Sequence, residues 1–322
     1  MILVAGGAGY IGSHTVKELL RLGFDVVVFD NLSSGRRDFV RGAKLIVGDL
    51  RDMDAVRRAF RSAKIEAVLH FASLIQVGES FRDPGKYYAH NLISSLFLLD
   101  AMREAEVGKF IFSSSAAVYG VPNQVPISED HPRDPSNPYG KTKAFVEHML
   151  EDYDRAYGLK FISLRYFNAS GADPDGEMGE CHVPETHLIP NLLAAVLGRI
   201  PALDIFGTDF PTPDGTAVRD YIHVTDLAAA HALALRILLA SPRSEFINLG
   251  TACGYSVRDV ICVAEKTLGK TVPTREMERR QGDVPILLAS REKAERLLGW
   301  KPRYSDLETI IETAWRWATK SA

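Results

Sequence analysis

The chain contains 322 residues, of which 46% are hydrophobic and 25% are charged, a composition typical of ordinary globular domains with a substantial core. The formal net charge of −3 excludes a general electrostatic attraction to nucleic acid or to an anionic membrane. Any phosphate-bearing ligand must therefore be held by a few well-placed groups.

The N-terminal sequence MILVAGGAGYIG predicts a strand that runs into a glycine-rich turn. It lacks the basic segment and the cleavage site of a signal peptide. The sequence also contains no apolar run long enough to cross a membrane. Three cysteines are an odd number and too few for a disulfide framework, which suits a reducing compartment. These features predict a cytoplasmic protein.

Short apolar runs alternate with amphipathic helical patterns through the first half of the chain. The runs have the length of strands, and continuous apolar strands are typical of a parallel sheet buried on both faces. They read ILVAGG, DVVVFD, KLIVGD, AVLHFA, KFIFSSS and FISLRYFN, and the helical patterns read SHTVKELLRL, MDAVRRAF, YYAHNLISSLFLLDAMREA and KAFVEHMLEDYDRAYG. This order predicts an α/β fold with a doubly wound parallel sheet of the Rossmann type.

A glycine triplet, Gly6-x-x-Gly9-x-x-Gly12, follows the first predicted strand and opens the first helix. Glycine permits the tight turn and lets the backbone approach a pyrophosphate at the helix N-terminus. The second strand ends at Asp30, whose carboxylate can bind an adenosine ribose and would repel a 2′-phosphate. This context favours NAD over NADP and over an ordinary glycine turn. Asp49, at the end of the third strand, either contacts the adenine or faces water.

Three serines, Ser113 to Ser115, end the strand KFIFSSS, and Tyr139 lies one helical turn before Lys143 at the start of a later helix. The serines should face the cofactor because ligands bind beyond the carboxyl ends of parallel strands. A free tyrosine has a pKa of about 10, which a nearby ammonium and the cationic nicotinamide ring would lower. We therefore predict a tyrosine acid/base, assisted by a serine hydroxyl. The alternatives are a helix-start aromatic with a solvated lysine, and serines that cap a strand.

The sequence becomes loop-rich after Asn168, where Pro and Gly cluster. We predict a dinucleotide-binding domain over residues 1–167, to which residues 219–250 return with another helix and strand. Residues 168–218 and 251–322 then form a smaller C-terminal α/β domain that binds the substrate.

The segment ECHVPETH contains Cys181, His182, Glu185 and His187 within a few positions. Such residues can bind metals, but their spacing fits no standard zinc motif. No second ligand pair follows in the sequence. We therefore expect no bound metal.

The chain resembles the extended short-chain dehydrogenase/reductase family, and within it the UDP-hexose 4-epimerases. The matching segments, which cover nearly the whole chain in order, are GGAGYIGSH, DNLSSG, VGDLRD, HFASLIQVGES, FSSSAAVYG, NPYGKTK, RYFNASGA, THLIP, LDIFG, DGTAVRDYIHVTDLA and RRQGDVP. The chain departs from many members at Ala117, where they have Thr, and from some at Ile75, where they have Lys. The resemblance implies bound NAD and reversible C4 epimerisation of UDP-glucose and UDP-galactose through a 4-keto sugar.

The resemblance also implies roles for individual residues. Tyr139 is the acid/base, Lys143 tunes it and binds the nicotinamide ribose, and Ser115 is the catalytic hydroxyl. The NAD-contacting positions are Gly6, Gly9, Tyr10, Ile11, Gly12, Asp30, Asn31, Asp49, Leu50, Phe71, Ala72, Asn91, Ser113, Tyr139, Lys143 and Phe167. The substrate-contacting positions are Ser115, Tyr139, Asn168, His187, Leu188, Phe206, Arg219, Arg280, Asp283 and Leu287.

Within the substrate set, Arg219 and Arg280 match positions that bind the diphosphate, since a guanidinium fork suits phosphate oxygens. Phe206 either stacks on the uracil, as the resemblance implies, or packs in the core. Hexose-restricted members often carry Tyr where this chain has Leu287. Because Leu is smaller, the pocket is predicted to admit a 2-N-acetyl group as well, as in UDP-GlcNAc and UDP-GalNAc.

Two rival functions fit the same scaffold. A nucleotide-sugar dehydratase needs an added acid/base pair after the catalytic hydroxyl, where this chain has Ala116 and Ala117. A non-catalytic dinucleotide-binding sensor would not need Tyr139 and Lys143 together. The family usually forms homodimers through paired long helices, and residues 86–105 and 140–157 would contribute them here. The predicted partners are thus a UDP-sugar and a second copy of the chain, and neither nucleic acid nor a membrane is expected to bind.

Overall fold

The computed structural model describes residues 1–280 and 282–320. The strands are β1 (Ile2–Ala5), β2 (Val26–Asp30), β3 (Lys44–Val47), β4 (Ala67–His70), β5 (Lys109–Ser115), β6 (Lys160–Tyr166), β7 (Asn168–Ser170), β8 (Leu203–Phe206), β9 (Val218–His223), β10 (Glu245–Leu249), β11 (Gly254–Ser256), β12 (Thr274–Met277) and β13 (Ile286–Leu287). The α-helices are α1 (Tyr10–Arg21), α2 (Met53–Arg61), α3 (Val77–Arg82), α4 (Pro84–Tyr87), α5 (Ser94–Glu104), α6 (Pro138–Tyr157), α7 (Leu188–Val196), α8 (Val224–Ala240), α9 (Val257–Leu268), α10 (Glu292–Leu298) and α11 (Leu307–Lys320). None of the helices in these described residues is long and apolar enough to cross a membrane.

The large sheet has seven strands in the order β10-β6-β5-β4-β1-β2-β3. All of its neighbouring strands are parallel, and Ile2 of β1 pairs with Val26 on one side and with Ala67 on the other. The strand order reverses at β1, which makes the carboxyl ends of β1 and β4 the topological switch point where ligands bind in such folds. The predicted doubly wound α/β fold is confirmed.

Two hydrophobic cores cover the two faces of this sheet. Because side chains alternate along a strand, Val4 and Val28 pack towards α1, α8 and α10, whereas Leu3 and Val27 pack towards α2, α5 and α6. The strand β3 differs from the prediction, since none of its residues is fully buried. It lies at the edge of the sheet, where neighbours cover it from one side only.

The C-terminal part of the chain contains two smaller sheets. The strands β7, β9, β11 and β13 form a mixed sheet, and β8 pairs with β12. A third core, with Leu192, Val260 and Ile310 at its centre, joins α7, α9 and α11. Within the predicted returning segment 219–250, β10 belongs to the large sheet and α8 packs on it, while β9 belongs to the smaller sheet. The domain bounds themselves stay a prediction.

Candidate active site

The turn after β1 needs glycine at two positions because the backbone passes close to itself. Gly6 has a φ of +79°, and a Cβ on it would lie 2.4 Å from the backbone nitrogen of Ala72. A Cβ on Gly12 would lie 2.2 Å from the carbonyl oxygen of Gly6. Gly9 caps the N-terminus of α1 in an extended conformation. The loop thus presents bare backbone at a helix N-terminus, which suits a pyrophosphate.

Asp30 ends β2 beside this loop, and only 8% of the residue is exposed. Its Oδ2 accepts a hydrogen bond of 2.9 Å from the Ala8 amide, and its Oδ1 accepts one of 2.8 Å from the Leu32 amide. These two bonds fix the carboxylate and leave acceptor capacity for ribose hydroxyls. A fixed anion at this strand end also disfavours a 2′-phosphate. The residues present therefore fit NAD.

Asp49 lies next to Asp30, since the amide of the preceding Gly48 donates 3.1 Å to the Asp30 carbonyl. Its carboxylate accepts bonds of 3.0 Å and 2.8 Å from the Arg51 guanidinium and one of 3.1 Å from the Asn31 amide. The hydrogen bonds from Arg51, with a smaller contribution from Asn31, hold the pKa of Asp49 well below its usual range, against the effect of partial burial. The carboxylate is thus already paired, which the sequence reading did not anticipate.

Other predicted cofactor residues hold the loops around the cleft. The Asn91 side chain accepts from the Leu74 amide at 2.9 Å and donates to the Leu74 carbonyl at 3.1 Å and to Thr142 at 3.0 Å. It therefore clamps the loop after β4 onto α6. The Tyr10 hydroxyl donates to the carbonyl of Gly171 at 2.6 Å. The remaining predicted positions are apolar: Leu50 is buried in one core, and the partly buried residues packed against the cores are Ile11, Phe71, Ala72 and Phe167.

The start of α6 explains the sequence NPYGK. Asn137 caps the helix, accepting 2.8 Å from the amide of Gly140, and a proline occupies the first turn. A Cβ on Gly140 would lie 2.4 Å from the carbonyl oxygen of Ala117. Glycine thus lets α6 begin directly against the turn that follows Ser115. This contact holds Tyr139 beside the end of β5.

The structure brings the predicted catalytic side chains together. The Lys143 ammonium donates 2.8 Å to the carbonyl of Ser113 and lies 5.9 Å from the ring centroid of Tyr139. The Ser115 hydroxyl accepts from the amide of the second residue beyond it at 3.2 Å and lies close enough to the Tyr139 phenol to act on its pKa. Tyr166, which sequence reasoning missed, hydrogen-bonds with the Ser113 hydroxyl. Its position at the end of β6, next to β5, was the available signal.

The electrostatics of this set differ from the simplest expectation. Burial raises the pKa of Tyr139 above its ordinary value, against a lowering effect of the Ser115 hydroxyl. Burial lowers the pKa of Lys143 to about 7, against a raising effect of the Glu147 carboxylate. Lys143 alone therefore does not lower the pKa of the phenol. The expected lowering requires the additional positive charge of the nicotinamide ring and stays a prediction for the NAD-bound enzyme.

A buried carboxylate anchors this corner one turn beyond Lys143. Glu147 is fully buried and accepts 2.8 Å from each of the hydroxyls of Ser114 and Ser163. It also accepts 2.9 Å and 2.7 Å from the guanidinium of Arg165, which is 2% exposed. The network ties the carboxyl ends of β5 and β6 to α6. Sequence reasoning also missed this residue, which looks like any helix carboxylate.

Four predicted substrate residues form one cluster in the smaller domain. Asp283 lies 3.8 Å from the Arg219 guanidinium and accepts 3.1 Å from Arg280. The Arg280 guanidinium in turn lies 4.8 Å from the ring centroid of Phe206. Two arginines share one carboxylate, which leaves one net positive charge for an anionic ligand.

Leu287 links this cluster to the turn after Ser115 and to α6, where the predicted catalytic residues lie. It pairs with Arg219 in the register of β13 and β9. Its side chain packs in a small core with Phe167, with Val118 of the turn after Ser115, and with Ala144 of α6. Leu287 therefore connects the strand that carries Arg219 with the turn after Ser115 and with α6.

The remaining predicted substrate residues lie at element boundaries. Asn168 begins β7, and Leu188 begins α7 and packs against the third core. His187 caps α7, and its Nδ1 lies 2.6 Å from Glu180 and 3.1 Å from Glu185. Burial disfavours the charged imidazole, but these two carboxylates outweigh it and raise the pKa of His187 to about 10. Glu180 was not among the predicted residues.

Comparison with known proteins gives consistent matches. A model of the NAD dependent epimerase/dehydratase family matches residues 2–250. A UDP-glucose 4-epimerase of Lacticaseibacillus casei is 50% identical over 317 residues, which are 98% of this chain and 96% of that protein. The crystal structure of a Brucella ovis UDP-glucose 4-epimerase in complex with NAD has a TM-score of 0.95 at 49% identity, covering 98% of this chain and 97% of that one. A Bifidobacterium longum UDP-glucose 4-epimerase in complex with NAD+ and UDP has a TM-score of 0.95 at 39% identity, covering 99% and 98%.

Proposed function

The chain belongs to the NAD dependent epimerase/dehydratase family, and we propose that it catalyses the reversible epimerisation of a UDP-hexose at C4. When bound, NAD supplies the redox chemistry, accepting a hydride from C4 of the sugar and returning it to the opposite face. The observation that carries the proposal is the close approach of Lys143 to Tyr139 and to the end of β5, next to the turn on which Leu287 packs. The roles of individual residues are part of the proposal.

Tyr139 is proposed to take the proton of the sugar 4-hydroxyl in one half-reaction and to return it in the other. The Ser115 hydroxyl, which lies near the phenol and acts on its pKa, positions the substrate oxygen and relays the proton. The buried Lys143 ammonium lies 5.9 Å from the centroid of the Tyr139 ring and stabilises the phenolate electrostatically. A lysine pKa of about 7 means that small electrostatic changes at this site decide whether the ammonium is present at neutral pH.

The arginine cluster is proposed to hold the UDP moiety. Arg219 and Arg280 bind the diphosphate, and Phe206 contributes an aromatic face for the uracil. Binding energy is then concentrated away from the reacting ring. The sugar can turn about its phosphate link and present either face of C4 to the cofactor.

Leu287 is proposed to set the substrate range. It packs against the turn that follows Ser115 and against α6, the two segments that carry the predicted catalytic residues. An aliphatic side chain at this position leaves more space than a tyrosine and offers no hydroxyl. We infer that UDP-galactose and UDP-N-acetylgalactosamine are both substrates.

A homodimer is also part of the proposal. Large apolar side chains are exposed on the long helical segments that the sequence identified, with 42% of Ile93, 39% of Leu96 and 49% of Phe145 accessible. A second copy of the chain would bury them. Light scattering of the purified protein measures the oligomeric state directly.

The three cysteines are unpaired, which fits the predicted cytoplasmic location.

The experiment that tests the proposal compares Tyr139→Phe with Tyr157→Phe, whose ring is 60% exposed on the same helix. Purified protein is incubated without added NAD, and both C4 epimers of UDP-galactose and UDP-N-acetylgalactosamine are followed by proton NMR. Loss of the acid/base should reduce turnover by at least about 100-fold in the first variant only. Absorbance of the cofactor reports whether NAD is still bound. Near-normal turnover of Tyr139→Phe would refute the mechanism.

A further inference from the structure

We propose that Glu180, His182, Glu185 and His187 bind a divalent transition-metal ion, with Zn²⁺ as the best match, in the segment between β7 and α7. This proposal does not rest on the epimerase activity. The sequence spacing argued against a metal because it considered the last three residues with Cys181 and omitted Glu180. The fold replaces the cysteine by that carboxylate.

The potential ligand atoms of these four residues all lie within 4.8 Å of one another. The Nδ1 atoms of His182 and His187 lie 2.9 Å and 2.6 Å from the same oxygen, Oε1 of Glu180. The same two nitrogens lie 4.0 Å and 3.1 Å from the oxygens of Glu185. Ligands in a tetrahedral zinc site lie about 3.3–3.6 Å apart, which follows from metal–ligand distances of about 2.0–2.2 Å. The observed separations bracket that range, so small rotations of the side chains would complete the site.

The charge of the cluster also calls for a cation. The side chains of Glu180 and Glu185 are 7% and 21% exposed. Within residues 1–280 and 282–320, no Lys or Arg nitrogen lies within 4.0 Å of either carboxylate. One divalent ion bound between the four side chains would balance the two carboxylates.

The donor set selects the type of metal. Two imidazole nitrogens and two carboxylate oxygens suit Zn²⁺ and similar transition-metal ions, whereas Mg²⁺ and Ca²⁺ prefer oxygen ligands alone. Cys181 does not belong to the set, because its Sγ lies 3.8 Å from the guanidinium of Arg36. Four protein ligands would close the coordination sphere, which is typical of a structural site.

The location indicates what the ion would stabilise. The Trp317 indole of α11 donates 3.1 Å to the Glu180 carbonyl, and the Gln76 amide donates 3.3 Å to the Pro184 carbonyl. The Tyr10 ring of α1 lies edge-on to His182, with centroids 6.3 Å apart. The segment that contains the four proposed ligands thus contacts α1, the loop after β4 and α11. A bound ion would hold this segment in place between them.

The test measures metal binding rather than activity. The NAD-containing protein is purified in metal-free buffer, analysed for metals, treated with a chelator and titrated with Zn²⁺ in competition with a chromophoric chelator. Co²⁺ absorption reports the coordination geometry, and Mg²⁺ serves as the hard-ion comparison. The variants Glu180→Gln and His182→Asn each remove one ligand. Cys181→Ser is the matched control within the same segment.

We expect one Zn²⁺ per chain, a tetrahedral Co²⁺ spectrum and no competition by Mg²⁺. Each ligand variant should lose at least about 100-fold in Zn²⁺ affinity, since second-shell changes alone cost up to that much. Cys181→Ser should bind as the parent does. Should a variant lose its NAD and so be misfolded, the zinc-dependent rise in the melting temperature of the parent protein supplies the same evidence. The proposal would be overturned if the parent bound Zn²⁺ with a dissociation constant weaker than about 100 µM, or if both ligand variants bound Zn²⁺ as tightly as the parent.

Discussion

Replacing the buried carboxylate Glu147 by glutamine should be among the most damaging single substitutions outside the catalytic set. The carboxylate accepts four hydrogen bonds of 2.7–2.9 Å, from two serines and twice from Arg165, and a fifth of 3.5 Å from Arg133. A glutamine keeps one acceptor oxygen, turns an amide towards the guanidinium and removes the negative charge. Arg165 then remains buried without a counter-charge.

The magnitude follows from the burial of both partners. Breaking a buried ion pair by removing one charge costs about 3–5 kcal/mol. For 322 residues, the unfolding entropy is about 0.7 kcal/mol per degree, so the melting temperature should fall by about 4–7 °C. The double variant with Glu147→Met and Arg165→Met should recover part of this loss, because it leaves no unpaired charge.

Calorimetry and activity profiles together separate stability from catalysis. Glu151→Gln, one turn further on, is the control, because its carboxylate is 28% exposed and pairs with Arg133 at 3.0 Å; it should cost at most about 1 kcal/mol. Removing the Glu147 charge should also lower the pKa of Lys143 below about 7, since that charge raises it. The activity of Glu147→Gln should then decline at a lower pH than that of the parent. Equal melting temperatures of the two glutamine variants would show that the buried pair does not hold this corner.

Three further predictions concern the cofactor loop, the substrate pocket and acid stability. Gly12→Ala should abolish NAD retention, because the added Cβ would lie 2.2 Å from the Gly6 carbonyl oxygen. The control Gly78→Ala should retain NAD, because a Cβ there would have no atom within 4 Å. The absorbance of the cofactor released on denaturation measures retention in both variants, and equal retention would contradict the loop geometry. Leu287→Tyr should lower the turnover of UDP-N-acetylgalactosamine relative to UDP-galactose by roughly tenfold or more, as followed by NMR, and an unchanged ratio would exclude the gate. Burial lowers the pKa of four histidines to about 3–4, namely His14, His70, His223 and His231. The free energy of unfolding that depends on their neutral form is fully present above about pH 6.5 and is lost as the pH falls towards the folded-state pKa values, a loss on the order of 3 kcal/mol per group. The melting temperature should therefore drop steeply as the pH is lowered through this range, and it should drop less in His231→Leu.

Most of the fold could be predicted because its elements carry local patterns. Continuous apolar runs identified the strands of the large sheet, and the strand-end rule predicted that the serines of β5 face the cofactor; the structure has Lys143 bonded to one of them, Ser113. The sequence NPYGK contains its own explanation, with a cap, a first-turn proline and a glycine at the contact. Periodicity could not distinguish the edge strand β3 from the central strands, since exposure at an edge depends on what lies beside it.

The details that escaped prediction depend on how individual side chains are paired and packed in three dimensions. Glu147 and Arg165 have the appearance of surface residues in the sequence, yet both are buried together behind β5 and β6. The pairing of Asp49 with Arg51 turns a free strand-end carboxylate into an occupied one. Glu180 joins two histidines only because the loop after β7 folds back on itself. No spacing rule encodes such meetings, because they depend on three-dimensional packing.

The bond between the Tyr10 hydroxyl and the Gly171 carbonyl should couple the two proposed binding sites thermodynamically. Tyr10 begins the helix that follows the proposed cofactor loop, and Gly171 follows β7 in the part of the chain that we propose binds the substrate. Lys17 on the same helix adds ion pairs at 2.9 Å and 2.8 Å to Asp173 and Asp175. A ligand that orders one of the two segments lowers the free-energy cost of ordering the other through these contacts. By thermodynamic linkage, the effect of each ligand on the binding of the other is equal. Occupancy of the nucleotide-sugar site should therefore slow dissociation of the dinucleotide, keeping it on the enzyme while the sugar is oxidised and reduced again.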